Sequence, residues 1–246
     1  MAIVVEPTVR LMSYTQEPDK VVAIAAMVCY ADDTNNIHVN ENTKIIDRLK
    51  NMGHLSPFEH ASFTFLIDGI SRACSHQIVR HRIASYSQRS QRYVTENALK
   101  YVMPDGLRGK KCYLNGSQID AEEYFKDAMG KSEDAYNTLN NALGNTGETS
   151  NEIARSILPN ATSTTIMMTI NARSLFNFFS ERLCMRSQSE VRNVANMMLG
   201  LVKDVAPNIF DGVGPKCVMT GECTEIKSCG EFTNMVITYG DDAYGE

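Results

Sequence analysis

The chain has no tryptophan among its 246 residues. An aromatic platform for a flat ligand must therefore come from Tyr, Phe or His. No apolar run approaches the roughly eighteen residues that a membrane span requires, so no membrane partner is expected. Met1 to Leu11 lacks a basic segment followed by a long apolar core, which argues against a secretory leader. Net positive charge is also missing. The formal charge is −5, whereas non-specific nucleic-acid binding needs a basic face across many phosphates. The seven cysteines are odd in number and mostly far apart, which argues against a disulfide scaffold. These absences together lead to the expectation of a soluble, cytoplasmic protein with reduced thiols. There is no internal repeat and no low-complexity linker. One domain is expected over residues 1–210, followed by an irregular, Gly-rich tail over 211–246.

A local absence is more informative. Residues 80–93 carry four arginines, one histidine, three serines and two glutamines, without a single Asp or Glu. An unpaired guanidinium is too costly to bury, and a solvated face would mix in acids. The stretch reads as a surface that meets anions. Guanidinium groups grip phosphates bidentately, and Ser and Gln add directional hydrogen bonds to polar ring edges. Two other readings of Arg80, Arg82, Arg89 and Arg92 stand beside this one. They form salt bridges between subunits, or the strip is an anion- or nucleic-acid-binding module. The acidic balance and missing tryptophan argue against the last.

Periodicity gives a coarse element map. Val4 to Thr15 reads as a short strand and turn, and Pro18 to Cys29 as an apolar helix. Thr43 to Met52 reads as a second helix, with Asn42 as N-cap and Gly53 as stop. His54 to His60 is a polar loop with an aromatic centre. Ala61 to Asp68 alternates at strand period, with Phe63, Phe65 and Ile67 on one face. Ser71 to Val79 reads as helix and Lys100 to Met103 as strand. Asp120 to Leu143 is a long helix opened by an Asp120/Glu123 capping box, and Thr149/Glu152 is a second box starting a helix that Pro159 closes. Thr164 to Ile170 is a β-branched central strand. Ser174 to Cys184 and Ser187 to Val205 are helices, the latter with a Ser187/Glu190 box. Strands and helices do not alternate strictly. The fold class is α+β, a central sheet flanked by helices.

Asn171 and Arg173 sit where a strand closes and a helix opens, and a helix start is a natural anion site. Asn177 lies one turn beyond Arg173, while Arg182 points about 140° away from Asn177. Phe176, Phe178 and Phe179 read as core, and Met167, Met168, Met197 and Met198 as packing. Cys217, Cys223 and Cys229 are separated by five residues each. Three thiols suit zinc if a fourth ligand such as Cys112 joins them. That spacing is not the usual short zinc hairpin and no histidine is near, so plain thiols and no metal is the expectation.

Several blocks now line up. Arg80-His81-Arg82-x-x-Ser85-x-x-x-x-Ser90 resembles the RHRxxSxxxxS signature of the flavin-dependent thymidylate synthases. His54-x-Ser56-Pro57-Phe58-Glu59-His60, Gln77, Arg92-Tyr93, Ile153-Ala154-Arg155-x-x-Leu158-Pro159 and Asn171-Ala172-Arg173-Ser174-Leu175-x-Asn177-Phe178 are similar to that family's other blocks, in its order. The resemblance implies reductive methylation of dUMP to dTMP. It implies FAD as cofactor, NADPH as reductant, 5,10-methylenetetrahydrofolate as carbon donor, and a homotetramer whose sites form where subunits meet. It implies that Ser56, Arg80, His81, Arg82, Asn171, Arg173 and Asn177 hold FAD. Gln77, Arg80, Ser90, Arg92, Arg155 and Arg182 would hold dUMP, with Gln88 between the two ligands. His54 and Glu59 would lie near flavin and folate, and Arg182 would be the catalytic group. Ser90 is implied as a binding residue, since nothing supplies it with an activating base. Gln88 stands where many members have Glu, Ser87 where some have Asn, and Arg186 where some have His.

Overall fold

The computed structural model of the chain describes residues 2–29, 31–33 and 44–240. In chain order its first elements are β1 (Ile3–Val4), β2 (Thr8–Tyr14), α1 (Pro18–Val28), α2 (Lys44–Asn51), β3 (Ser62–Ser71), α3 (Arg72–Ile78), β4 (Ala84–Gln88) and β5 (Lys100–Tyr101). There follow β6 (Lys111–Leu114), β7 (Ser117–Asp120), α4 (Ala121–Ala142), α5 (Glu148–Ala154), β8 (Ser163–Asn171), α6 (Ala172–Arg182), α7 (Ser189–Val205), α8 (Pro207–Phe210), α9 (Lys216–Thr220) and α10 (Phe232–Tyr239). The mixed composition and the helix-flanked sheet agree with the expected α+β class. The principal sheet has strand order β2-β3-β8-β4. Among the described residues no helix is long and apolar enough to cross a membrane. The expected cap Asn42 lies outside the described residues.

The chain divides into two compact units. The first comprises Met1–Thr8, Ile67–Val79 and Ser87–Ile166; the second comprises Val9–Leu66, Arg80–Tyr86 and Met167–Glu246. Strands β3 and β8 contribute residues to both. In β3 the alternation read from sequence is realised: Phe63, Phe65 and Ile67 are all fully buried.

In the first unit, β1 pairs in parallel with β5, and β6 and β7 form an antiparallel hairpin. Gly69 has φ +71°, and a Cβ there would stand 2.4 Å from the main-chain oxygen of Glu6. Only glycine satisfies both demands. Helix α4 opens as expected, with the Asp120 carboxylate accepting from the N–H groups of Glu122 and Glu123. Helix α5 does not start at Thr149. It starts at Glu148 after Gly147, and no side chain caps it. The Glu152 carboxylate expected to complete that box is engaged by Arg92 instead.

In the second unit the phenylalanines of α6 form the core, as their spacing implied. Phe176 meets Phe58 edge-on at 5.2 Å and Phe210 at 5.8 Å, and Phe179 meets Phe210 at 6.0 Å. Asp19 in the first turn of α1 accepts from the N–H groups of Asn208 and Ile209, which satisfies the start of α8. Met168 and Met198 are buried, but Met167 is 39% exposed and is not core. Helix α7 begins at Ser189 with Gln188 in the cap position, so the expected Ser187/Glu190 box does not form its start. The stretch beyond residue 210 is not irregular throughout, since it carries α9 and α10.

Candidate functional site

The sequence-predicted residues fall into two groups, one in each unit. Gln77, Gln88, Ser90, Arg92 and Arg155 belong to the first; His54, Ser56, Glu59, Arg80, His81, Arg82, Asn171, Arg173, Asn177 and Arg182 belong to the second.

In the first unit a buried amide organises the loop that carries Arg92. Asn151 on α5 is fully buried. Its Oδ1 accepts from Tyr136 Oη at 3.1 Å and from Asn140 Nδ2 at 3.2 Å, and its Nδ2 donates to the Arg92 carbonyl at 3.0 Å. Ser90 Oγ accepts from the Arg92 N–H at 3.2 Å, so Ser90 shapes the same turn. The Arg92 guanidinium then meets two exposed carboxylates of α5. Its Nη2 donates to Glu148 at 2.7 Å, and its Nε lies 2.8 Å from Glu152 as an ion pair without hydrogen-bond alignment. Gln88 donates to Ser75 Oγ at 2.9 Å and to Thr164 Oγ1 at 3.3 Å, which fixes it on the sheet. Gln77 is half-buried on α3.

Two features of this unit were not foreseen. Arg89 belongs to the arginine strip, yet it turns to the buried Glu96 and donates to it at 3.2 Å. Burial raises the Glu96 carboxyl above its usual range, against the opposing pull of Arg89. The second feature is Arg72. Its pKa is lowered by burial first and then by the charge of Arg155. The nearby Glu96 carboxylate pulls the other way. Arg72 also occupies the first position of α3, where the helix dipole disfavours a cation. That mismatch was visible in the sequence and is the signal that could have found it.

In the second unit the turn Ser56–His60 is a short 3₁₀ helix anchored by buried Pro57 and Phe58. This anchoring leaves Ser56, Glu59 and His60 at the surface. Glu59 accepts a hydrogen bond from Arg173, which lies in the first turn of α6. A cavity of about 290 Å³ is lined by His54, Ser56 and Arg173 together with Cys29, Leu49 and Pro57. Asn171 ends β8 and caps α6, its Oδ1 accepting from the Ser174 N–H at 2.8 Å. Arg80, Arg82, Arg173 and Asn177 are exposed.

His81 departs from the expectation. It is 4% exposed and packs edge-on to Phe178 at 4.8 Å. Its Nε2 accepts a hydrogen bond from Arg182 Nε at 2.7 Å. An accepting nitrogen carries no proton, so the ring is neutral, with its proton on Nδ1. Burial, and after it the charge of Arg182, lower the His81 pKa to about 4, against the weaker pull of Glu181. The His81 ring is thus turned inward, where it holds the Nε side of Arg182. Neither Glu181, 3.9 Å from both partners, nor the His81–Arg182 bond was legible from spacing.

Residues 10–208 match a protein-family model described as thymidylate synthase complementing protein. The chain is 41% identical to the flavin-dependent thymidylate synthase of Clostridium tetani, over 94% of this chain and 96% of that protein. It is 44% identical to the flavin-dependent thymidylate synthase of Geobacter sulfurreducens, over 88% of this chain and 90% of that protein. Among solved structures it is similar to the UMP/dUMP methylase PolB from Streptomyces cacaoi bound with 5-Br dUMP. That match has a TM-score of 0.72 and 26% identity, and covers 87% of this chain and 98% of that one.

Proposed function

Because the chain belongs to the family of the flavin-dependent thymidylate synthases, we propose that it converts dUMP to dTMP, with 5,10-methylenetetrahydrofolate as carbon donor and NADPH as reductant of FAD. The solved neighbour's title names a dUMP analogue as its ligand, which supports a uracil nucleotide as substrate. The reading includes a cytoplasmic homotetramer in which Arg80 and Arg182 complete the nucleotide site where subunits meet. The domain is taken as 1–210, with the segment beyond it as an extension.

The first unit's group suits a phosphate dianion. Arg92 offers a forked guanidinium, and the repelling pair Arg72 and Arg155 gains from a negative charge nearby. Gln77, Gln88 and Ser90 add hydrogen bonds for the polar edges of the nucleotide. The second unit's group suits an anionic dinucleotide: the exposed Arg80, Arg82 and Arg173, the hydroxyl of Ser56, and the opening turn of α6 offer cations and donors. Asn177 and the Nδ2 of Asn171 add further donors; His54 borders the cavity beside them, and Glu59 pairs with Arg173 there. When bound, FAD supplies the redox chemistry that the side chains lack.

The observation that carries this reading is Arg182 held by a neutral acceptor. C5 of uracil is a weak nucleophile. A permanent cation at the carbonyl and N3 edge of the ring stabilises the charge that spreads there as C5 attacks. Arginine keeps its proton at any working pH, so it acts by field and hydrogen bonding rather than as a base. His81 holds the Nε side of the guanidinium without neutralising it, and the exposed Glu181 stands 3.9 Å from Nη2, at the limit of an ion pair, so a substrate would meet the Nη groups beside a loosely placed carboxylate.

The test is a spectrum and a product. Purified protein is expected to show flavin absorbance, a dUMP-dependent oxidation of NADPH, and dTMP identified by mass spectrometry. A colourless protein that fails to bind added FAD would contradict the proposal. So would NADPH oxidation that is indifferent to dUMP and yields no dTMP.

A further inference from the structure

Four of the seven cysteines line one cavity of about 220 Å³ in the second unit: Cys184, Cys217, Cys223 and Cys229. Cys112, the fourth ligand suggested by sequence, lies on β6 in the first unit and takes no part. Cys184 follows the end of α6 by two residues. The other three lie on α9 and the stretch after it. Helix α9 packs on the end of α6, but no residue from 216 to 238 is fully buried. Among the described residues, no main-chain N–H from 222 to 230 donates to a main-chain carbonyl. What tethers it is Arg186, which pairs with Glu225 at 3.1 Å and donates to the Lys227 carbonyl at 3.2 Å. Cys223 and Cys229 on a stretch without main-chain pairing, and Cys217 on α9, line one cavity with Cys184, an arrangement with the makings of a metal clasp.

We propose that Cys184, Cys217, Cys223 and Cys229 bind one zinc ion in a closed four-thiolate site that fastens residues 216–231 to the end of α6. Binding replaces four S–H bonds by four Zn–S bonds and releases four protons to solvent, and no electron moves. The product carries two negative charges; Arg182, Arg186 and Lys216 border the same cavity, against Glu181 and Glu225, and Arg186 already pairs with Glu225. Four soft sulfur donors in a tetrahedron suit zinc. Four protein ligands leave no open position, which makes the site structural rather than catalytic.

Among the described residues no three such side chains are already drawn into a metal-holding group. Zinc must therefore pull the sulfurs inward, to the separation of about 3.8 Å that Zn–S bonds of about 2.3 Å impose. The stretch that carries Cys223 and Cys229, without main-chain pairing of its own, can make that move toward Cys184 and Cys217 at little cost. This inference is independent of the activity proposed above.

The test uses the full chain, purified without chelator from zinc-supplemented cells. Elemental analysis is expected to find one zinc per chain. After stripping, Co²⁺ alone is expected to give the absorption of a tetrahedral thiolate complex to the red of the flavin bands. Cys223→Ser and Cys229→Ser should each lower retained zinc by at least about tenfold, since losing one thiolate opens the closed site. Cys112→Ser should leave it unchanged. Alkylation of the wild-type protein, mapped by mass spectrometry, needs no variant to fold: zinc should shield the four cysteines and leave Cys29 and Cys112 reactive. A protein that takes up neither metal, one that holds iron in place of zinc, or one whose zinc protects Cys112 would overturn the assignment.

Discussion

Arg92 and Arg182 are both held from behind, but by partners of opposite kind. Arg92 is held by charge, between two exposed carboxylates of α5. Arg182 is held at 2.7 Å by a buried neutral imidazole, with its nearest carboxylate, the exposed Glu181, out at 3.9 Å. A carboxylate partner competes with any incoming anion and neutralises the field it would feel. A neutral acceptor fixes the guanidinium and leaves its charge intact. On the proposed function, Arg92 would exchange partners when a phosphate arrives, a binding role, and Arg182 would hold a field in place, a transition-state role.

The sharpest way to break this division is to remove Arg182. Arg182→Ala should lower kcat for dUMP-dependent dTMP formation by about 10³-fold, on the scale of a lost oxyanion-type donor. Flavin should stay bound, as absorbance would report. Retained turnover would refute the role.

Replacing His81 tests the support rather than the charge. His81→Leu should lower kcat by about 10²-fold with little change in KM, because a misaimed group costs about that much. His81→Gln, which restores an acceptor near the position of Nε2, should recover most of the loss. Equal loss in both variants would mean that His81 only fills space. The pH dependence has a definite sign. The folded pKa of His81, about 4, lies below its ordinary 6.5, so the unfolded chain binds the proton first as pH falls. The histidine's contribution is fully present above pH 6.5 and is lost as pH falls toward 4. Thermal melts should show that slope in the wild type, and His81→Leu should flatten it.

Smaller effects are expected at Arg92. Arg92→Ala should raise KM for dUMP by about 10- to 100-fold, the range for a charge-assisted bidentate contact, with kcat nearly unchanged. Relieving the competition should act the other way. The double variant Glu148→Gln, Glu152→Gln is expected to lower KM by about threefold, within the worth of exposed ion pairs. If KM rises instead, the carboxylates position Arg92 for its ligand, and the contrast between the two arginines weakens.

Much of this was legible in the chain, and the failures have physical reasons. The alternation of β3, the Asp120 cap, the phenylalanine core of α6 and the placing of Asn171 at a strand–helix junction all rest on local pattern, and the fold keeps them. The arginine strip shows where local reading stops. Its own residues include no acid, which suggested a single surface open to anions. The fold divides it at Ser87 and brings Glu96 to Arg89, and Glu148 and Glu152 to Arg92. Those acids lie up to 60 positions along the chain from their partners, a distance at which no periodicity speaks. Glu152 misled as a capping residue because its spacing from Thr149 fitted, while its charge was wanted elsewhere. His81 sits between two exposed arginines and reads as exposed too. Only the packing of Phe178 shows why it turns inward.

Nitrogen-15 NMR of the histidine rings, followed through an acid titration of the intact protein, measures the state of His81 directly. The predicted result is a neutral ring with Nδ1 protonated and Nε2 accepting, unchanged from neutral pH down to about pH 5, and titrating near 4. A ring that takes up its proton between pH 6 and 7, or that carries its proton on Nε2, would contradict the claim that Arg182 is aimed by an uncharged partner.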